Sequence, residues 1–132
     1  MTLPFKIFGE CLNEINNEKD LLLSNICNYG NTILAKLDNI SLSNKYSPFT
    51  YFKPHRIYTI EATVKENIKG SNSGKLCFIQ WREEPFDLVY EMENNMFIIS
   101  FNKTEKCSTL EVGSIINFSE QLLQIARESH VK

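Results

Sequence analysis

The chain has 132 residues, 42% apolar and 23% charged, a composition that fits one folded domain and excludes a disordered or fibrous chain. Fourteen Lys and Arg stand against sixteen Asp and Glu, a net charge of −2, which disfavours a protein that coats duplex nucleic acid through its phosphates. Apolar runs of only three or four residues, such as Leu21–Leu23 and Met96–Ile99, fall far short of the roughly 18 residues that a membrane-spanning helix needs.

The first third reads as helix. Phe5, Phe8, Leu12, Ile15, Leu22, Ile26, Tyr29, Ile33 and Leu37 recur at steps near three and four, which predicts one helix or a helix pair over residues 4–38. Pro4 suits a first turn, and Asn16-Asn17-Glu18-Lys19-Asp20 offers a restart with Asn17 as cap and Asp20 in the first turn. Residues 39–55, rich in Ser, Asn and Pro, read as an irregular connector.

The period then falls to two. Tyr58, Ile60, Ala62 and Val64 alternate with polar residues and predict a half-buried strand over 57–65. Asn67–Gly74 reads as a turn, and Lys75–Arg82 as a second strand, central because Leu76-Cys77-Phe78-Ile79 is apolar on both parities. Phe86, Leu88, Tyr90 and Met92 predict a third strand, Asn94-Asn95 a hairpin turn, and Met96–Asn102 a fourth strand. Thr109–Val112 suits a short fifth strand. Ile115, Phe118, Leu122, Ile125 and Ala126 then give a closing helix, with Asn117-x-x-Glu120 in the form of a capping box. The expected fold is therefore a single α+β domain over residues 1–132. It has an N-terminal helix or helix pair, a four- to five-stranded antiparallel meander, and a C-terminal helix packed on one sheet face.

Cysteines at 11, 27, 77 and 107 form no C-x-x-C pair and match no zinc-ligand spacing. Cys11, Cys27 and Cys77 lie in apolar periodic segments, where a reduced thiol behaves as a small hydrophobe. The N-terminus lacks a basic region followed by an apolar core. Free thiols, a cytoplasmic location, no metal and no cofactor are the expectations.

Catalytic motifs are weak. Gly70-Ser71-Asn72-Ser73-Gly74-Lys75-Leu76 only superficially suggests a phosphate loop, because three residues rather than four separate the glycines, and a strand follows. Lys53, His55 and Arg56 form a secondary candidate anion-binding site within the basic and aromatic stretch 45–58. A small nuclease or hydrolase would depend on His55, and the chain is not expected to be an enzyme.

The charge is uneven. Residues 36–75 hold seven Lys and Arg against three Asp and Glu, whereas residues 76–132 hold five against nine. Within the acidic part, Glu83, Glu84, Asp87, Glu91 and Glu93 are interleaved with Trp81, Phe86 and Tyr90, a pattern suited to docking a basic protein. The expected function is a small inhibitor, most concretely an immunity protein that neutralises a cognate bacterial toxin, for example a nuclease, through this surface. A secretion-type chaperone for a protein effector is the second reading. The expected partner is a protein, and neither a membrane nor a nucleic acid is expected.

Overall fold

The computed structural model of the chain describes residue 11 and residues 14–44, 55–83 and 91–129. Helix α1, Glu18–Asn28, starts where the sequence asks for it. Asn17 is extended, with φ −158° and ψ −179°, and its side-chain oxygen accepts from the Asp20 amide at 2.9 Å. The Asp20 carboxylate in turn accepts from the Asn16 amide at 3.2 Å, so two amides of the helix entry are satisfied. Asn17→Ala is expected to cost about 1 kcal/mol in urea unfolding, with Asn17→Asp recovering most of it. At the other end the Lys69 ammonium donates to the Ile26 and Tyr29 carbonyls at 2.5 and 2.7 Å.

After Tyr29 the expected helix gives way to a strand, β1, Asn31–Asn44. Ile33 and Leu37 are four residues apart, and a step of four fits a helical turn and two strand repeats equally well. Residues 39–44, expected as connector, continue this strand, while 45–54 lie outside the described residues. Strands β2, His55–Lys69, and β3, Lys75–Glu83, follow as an antiparallel pair. The turn between them has Gly70 at φ 90° and Gly74 at φ 72°, and a Cβ on Gly70 would collide with the Asn31 side chain.

Strand β4 is Met96–Phe101, β5 is Ser108–Leu110 and β6 is Ile115–Asn117. Helix α2, Glu120–Ser129, closes the chain. Its entry is capped by Ser119, whose Oγ accepts from the Leu122 amide at 3.1 Å, rather than by Asn117, which lies in β6. Of the expected third strand, Glu91 and Met92 lie in a 3-10 turn, and 84–90 are outside the described residues.

The sheet order is β5-β3-β2-β1-β4-β6. The expected meander holds only for β1, β2 and β3. β4 returns to pair with β1, and β5 runs parallel to β3, so the six-stranded sheet is mixed. It is also rolled. In a flat sheet the two edge strands would stand about 24 Å apart at five spacings of about 4.8 Å. The chain from Leu110 to Ile115 reaches at most about 18 Å. The β1–β2 ladder supplies the bend through four register shifts, at Thr32/Ile33, Leu34/Ala35, Leu37/Asn39 and Leu42/Asn44. The shift around Asp38 moves the core-facing positions of β1 from Ile33, Ala35 and Leu37 to Ile40 and Leu42.

Rolling creates two apolar layers. Inside lie Leu37, Tyr58, Ile60, Phe78, Phe101 and their neighbours. Outside, Leu22 and Ile26 of α1 and Leu122, Leu123 and Ala126 of α2 pack on Leu34, Ile98 and Ile116. Both helices thus cover one face, as expected. Arg127 of α2 grips the Glu66 carboxylate with two hydrogen bonds of 2.8 and 2.7 Å, which holds Glu66 below the usual carboxylate pKa. The link between β5 and β6 is tied to α1 by Asn25 Nδ2 donating to the Gly113 carbonyl at 2.9 Å, and by Tyr29 Oη donating to Glu111 at 2.6 Å.

The expected free thiols are absent: Cys11 bonds to Cys27 and Cys77 to Cys107. Spacing could not reveal the second bond. It follows from the parallel register that pairs Phe78 with Ser108 and so places 77 beside 107. No helix among the described residues is long and apolar enough to cross a membrane.

Candidate functional site

β3 presents opposite chemistry on its two faces. Phe78 and Leu76 belong to the interior, and Gln80 is fully buried with them. Cys77, Ile79 and Trp81 alternate onto the outer face. The helices pack over β1, β4 and β6 residues, leaving Trp81 42% exposed. Among the described residues it and Ile15 are the large hydrophobics that water reaches most. Trp81 nevertheless sits within a paired strand. β2 flanks it through the pair Ile57–Trp81, while on the other side the β5 ladder ends one residue short of it, at Gln80–Leu110, and the Cys77–Cys107 bond lies further back on the same outer face.

The antiparallel register joins two candidate groups that are well apart in sequence. His55 is the register partner of Glu83, and Arg56 that of Arg82. Lys53, Glu84, Phe86, Asp87 and Tyr90 lie outside the described residues. The remaining acids sit elsewhere. Glu93 Oε2 accepts from the Ile40 amide at 2.7 Å, closing β1 just beyond the Asp38 irregularity. Glu91 is exposed on the same turn. That turn has Asn94 at φ 68°, and it extends the sheet: Asn94 N donates to the Leu37 carbonyl at 2.6 Å and Leu37 N to the Asn95 carbonyl at 3.0 Å. Glu91 and Glu93 therefore belong to a turn bound to β1, with β2 intervening between them and Trp81.

No family model and no curated protein matches the chain.

On the inner face Arg82 Nε donates to Gln80 Oε1 at 2.9 Å, and a terminal nitrogen lies 3.9 Å from Met92 Sδ. Burial pulls the Arg82 guanidinium below the ordinary arginine pKa, opposed by the nearby Tyr58. Gln80 Nε2 is buried and has no acceptor among the described residues. A second feature was not legible in the sequence. It is an open groove of about 490 Å³ with Met92, Phe97 and Phe118 in its wall and Glu91, Asn94 and Asn117 at its polar positions. Its two sides are at least twenty residues apart in sequence and meet because β6 pairs with β4. Among the described residues, no cluster of three or more His, Cys, Asp or Glu could hold a metal ion. What this end of the sheet offers is contact: an exposed indole on a paired strand, with Ile57 and Ile79 half-buried beside it.

Proposed function

We propose that the chain is a protein-binding inhibitor rather than a catalyst, and that it docks its partner through the outer face of β3. The observation that carries the reading is the exposed Trp81. A large aromatic that stays in water on a paired strand costs hydrophobic stabilisation, which burial at an interface returns. Glu83 ends the same strand two residues on, and Glu84, Phe86, Asp87 and Tyr90 continue the acidic and aromatic sequence. A basic protein suits that surface, and an immunity protein acting on a cognate bacterial toxin is the most concrete form of the reading. The cytoplasmic location expected with it rested in part on free thiols, and that part of its support is gone.

The test compares baits. Wild-type protein, Trp81→Ala and a Glu83→Lys/Glu84→Lys/Asp87→Lys variant are immobilised, and the affinity of the recovered protein is then measured in solution. Trp81→Ala is expected to weaken binding by about 2 kcal/mol or more, roughly thirtyfold, without changing the urea midpoint. Charge reversal is expected to slow association, the wild-type rate itself falling as salt rises. Equal binding by all three would assign the partner to another surface.

A further inference from the structure

We infer that the chain is a client of thiol-oxidising enzymes and works in its doubly disulfide-bonded form, in an oxidising compartment. The inference is independent of the docking reading and rests on where the two bonds fall. Four cysteines allow three pairings, and the fold realises one of them completely, Cys11 with Cys27 and Cys77 with Cys107. The Cα separations of 5.8 and 4.6 Å lie within the range that a disulfide bridges without backbone movement. Among the described residues no third His, Cys, Asp or Glu joins either pair.

Each bond also ties a cysteine outside regular structure to one within a helix or strand. Cys11 lies in irregular backbone ahead of α1 and is tied to the helix through Cys27. Cys107 immediately precedes β5, the strand of only three residues that ends one edge of the rolled sheet. β5 meets β3 in a parallel ladder of three pairs, yet it must bury Ser108 and Leu110. The Cys77–Cys107 bond extends that ladder by one covalent rung on the outer face. Such placements are structural, and bonds of this kind persist where thiols are not kept reduced.

The chemistry is two successive exchanges. In each, two cysteine thiols of the chain give up two electrons and two protons to the disulfide of an oxidoreductase. A mixed disulfide forms and resolves, and the oxidoreductase is left as a dithiol. One chain consumes two oxidising equivalents.

The test reads the thiols of the wild-type chain in the cells that make it. Cells are quenched in acid, and the chain is denatured, alkylated with N-ethylmaleimide and weighed. The expected result is no adduct and a mass about 4 Da below that of the reduced chain, two hydrogens for each bond. Non-reducing peptide maps are expected to link the Cys11 peptide to the Cys27 peptide and the Cys77 peptide to the Cys107 peptide. Adducts on either pair, or a different linkage, would overturn the proposal. A second measurement follows hydrogen exchange in purified Cys77→Ala/Cys107→Ala. Exchange at Ser108–Leu110 is expected to quicken at least tenfold while α1 keeps its protection. Unchanged exchange in β5 would remove the bracing role that the inference assigns to the bond.

Discussion

Replacing Cys77 and Cys107 together by alanine is expected to lower stability by about 4 kcal/mol, because the bond closes a loop of 30 residues in the unfolded chain. The Cys11–Cys27 bond closes 16 residues, and its removal is expected to cost about 3 kcal/mol. Most of each loss arises in the unfolded state, where the uncrosslinked chain gains conformations. The urea m-value should therefore rise as the midpoint falls, since a freer chain exposes more surface. For the 77–107 bond a native-state contribution adds to this: releasing β5 weakens the burial of Leu110 in the inner core. Reducing both bonds with dithiothreitol should remove about 7 kcal/mol, within the whole stability of a typical domain, so the reduced chain is expected to be largely unfolded at 37 °C. Circular dichroism before and after reduction checks it. An unmoved midpoint would mean that neither cross-link restricts the unfolded chain and that the three-residue ladder holds β5 without help.

Local chemistry was legible, and pairing was not. Asn17 and Asp20 announce the start of α1 because a cap is decided within four residues. Tyr58, Ile60, Ala62 and Val64 announce β2 because one face of that strand turns to the core along its length. Asn94 announces its turn because few residues adopt φ 68° cheaply. β1 was misread for a physical reason. Its inward set, Ile33, Ala35 and Leu37, is joined by Leu34, which faces the helices, so both faces are apolar and alternation vanishes. The shift at Asp38 then inverts what periodicity remains. β6, at three residues, is too short to show any period. The Cys77–Cys107 bond and the register pairing of His55 with Glu83 depend on how strands align, which no local pattern fixes. Trp81 stood out by type and by its acidic neighbours and is exposed, yet Glu93, singled out on the same grounds, accepts from the Ile40 amide. Composition locates charge but says nothing of which backbone groups that charge must satisfy.

Phe78→Ala is expected to destabilise the fold by about 3 to 5 kcal/mol, among the largest effects of any single substitution here. Phe78 is fully buried near the middle of β3, with Ile60 opposite it on β2 and Ser108 on β5. Its ring meets that of Phe101 edge-on, with centroids 4.9 Å apart and planes at 75°. Phe101 belongs to β4, three strand spacings away in the sheet order. In a flat sheet three strand spacings alone would set those positions at least about 14 Å apart with side chains standing parallel, and no ring contact would be possible. The pair is thus a direct probe of the roll. Phe78→Leu keeps most of the volume and should cost far less than alanine, losing mainly the ring contact. A double-mutant cycle with Phe101→Leu isolates that contact, and a coupling of about 0.5 to 1.5 kcal/mol is expected from urea unfolding. Additive losses would mean that the two rings do not meet, and with that the sheet could not be closed as described.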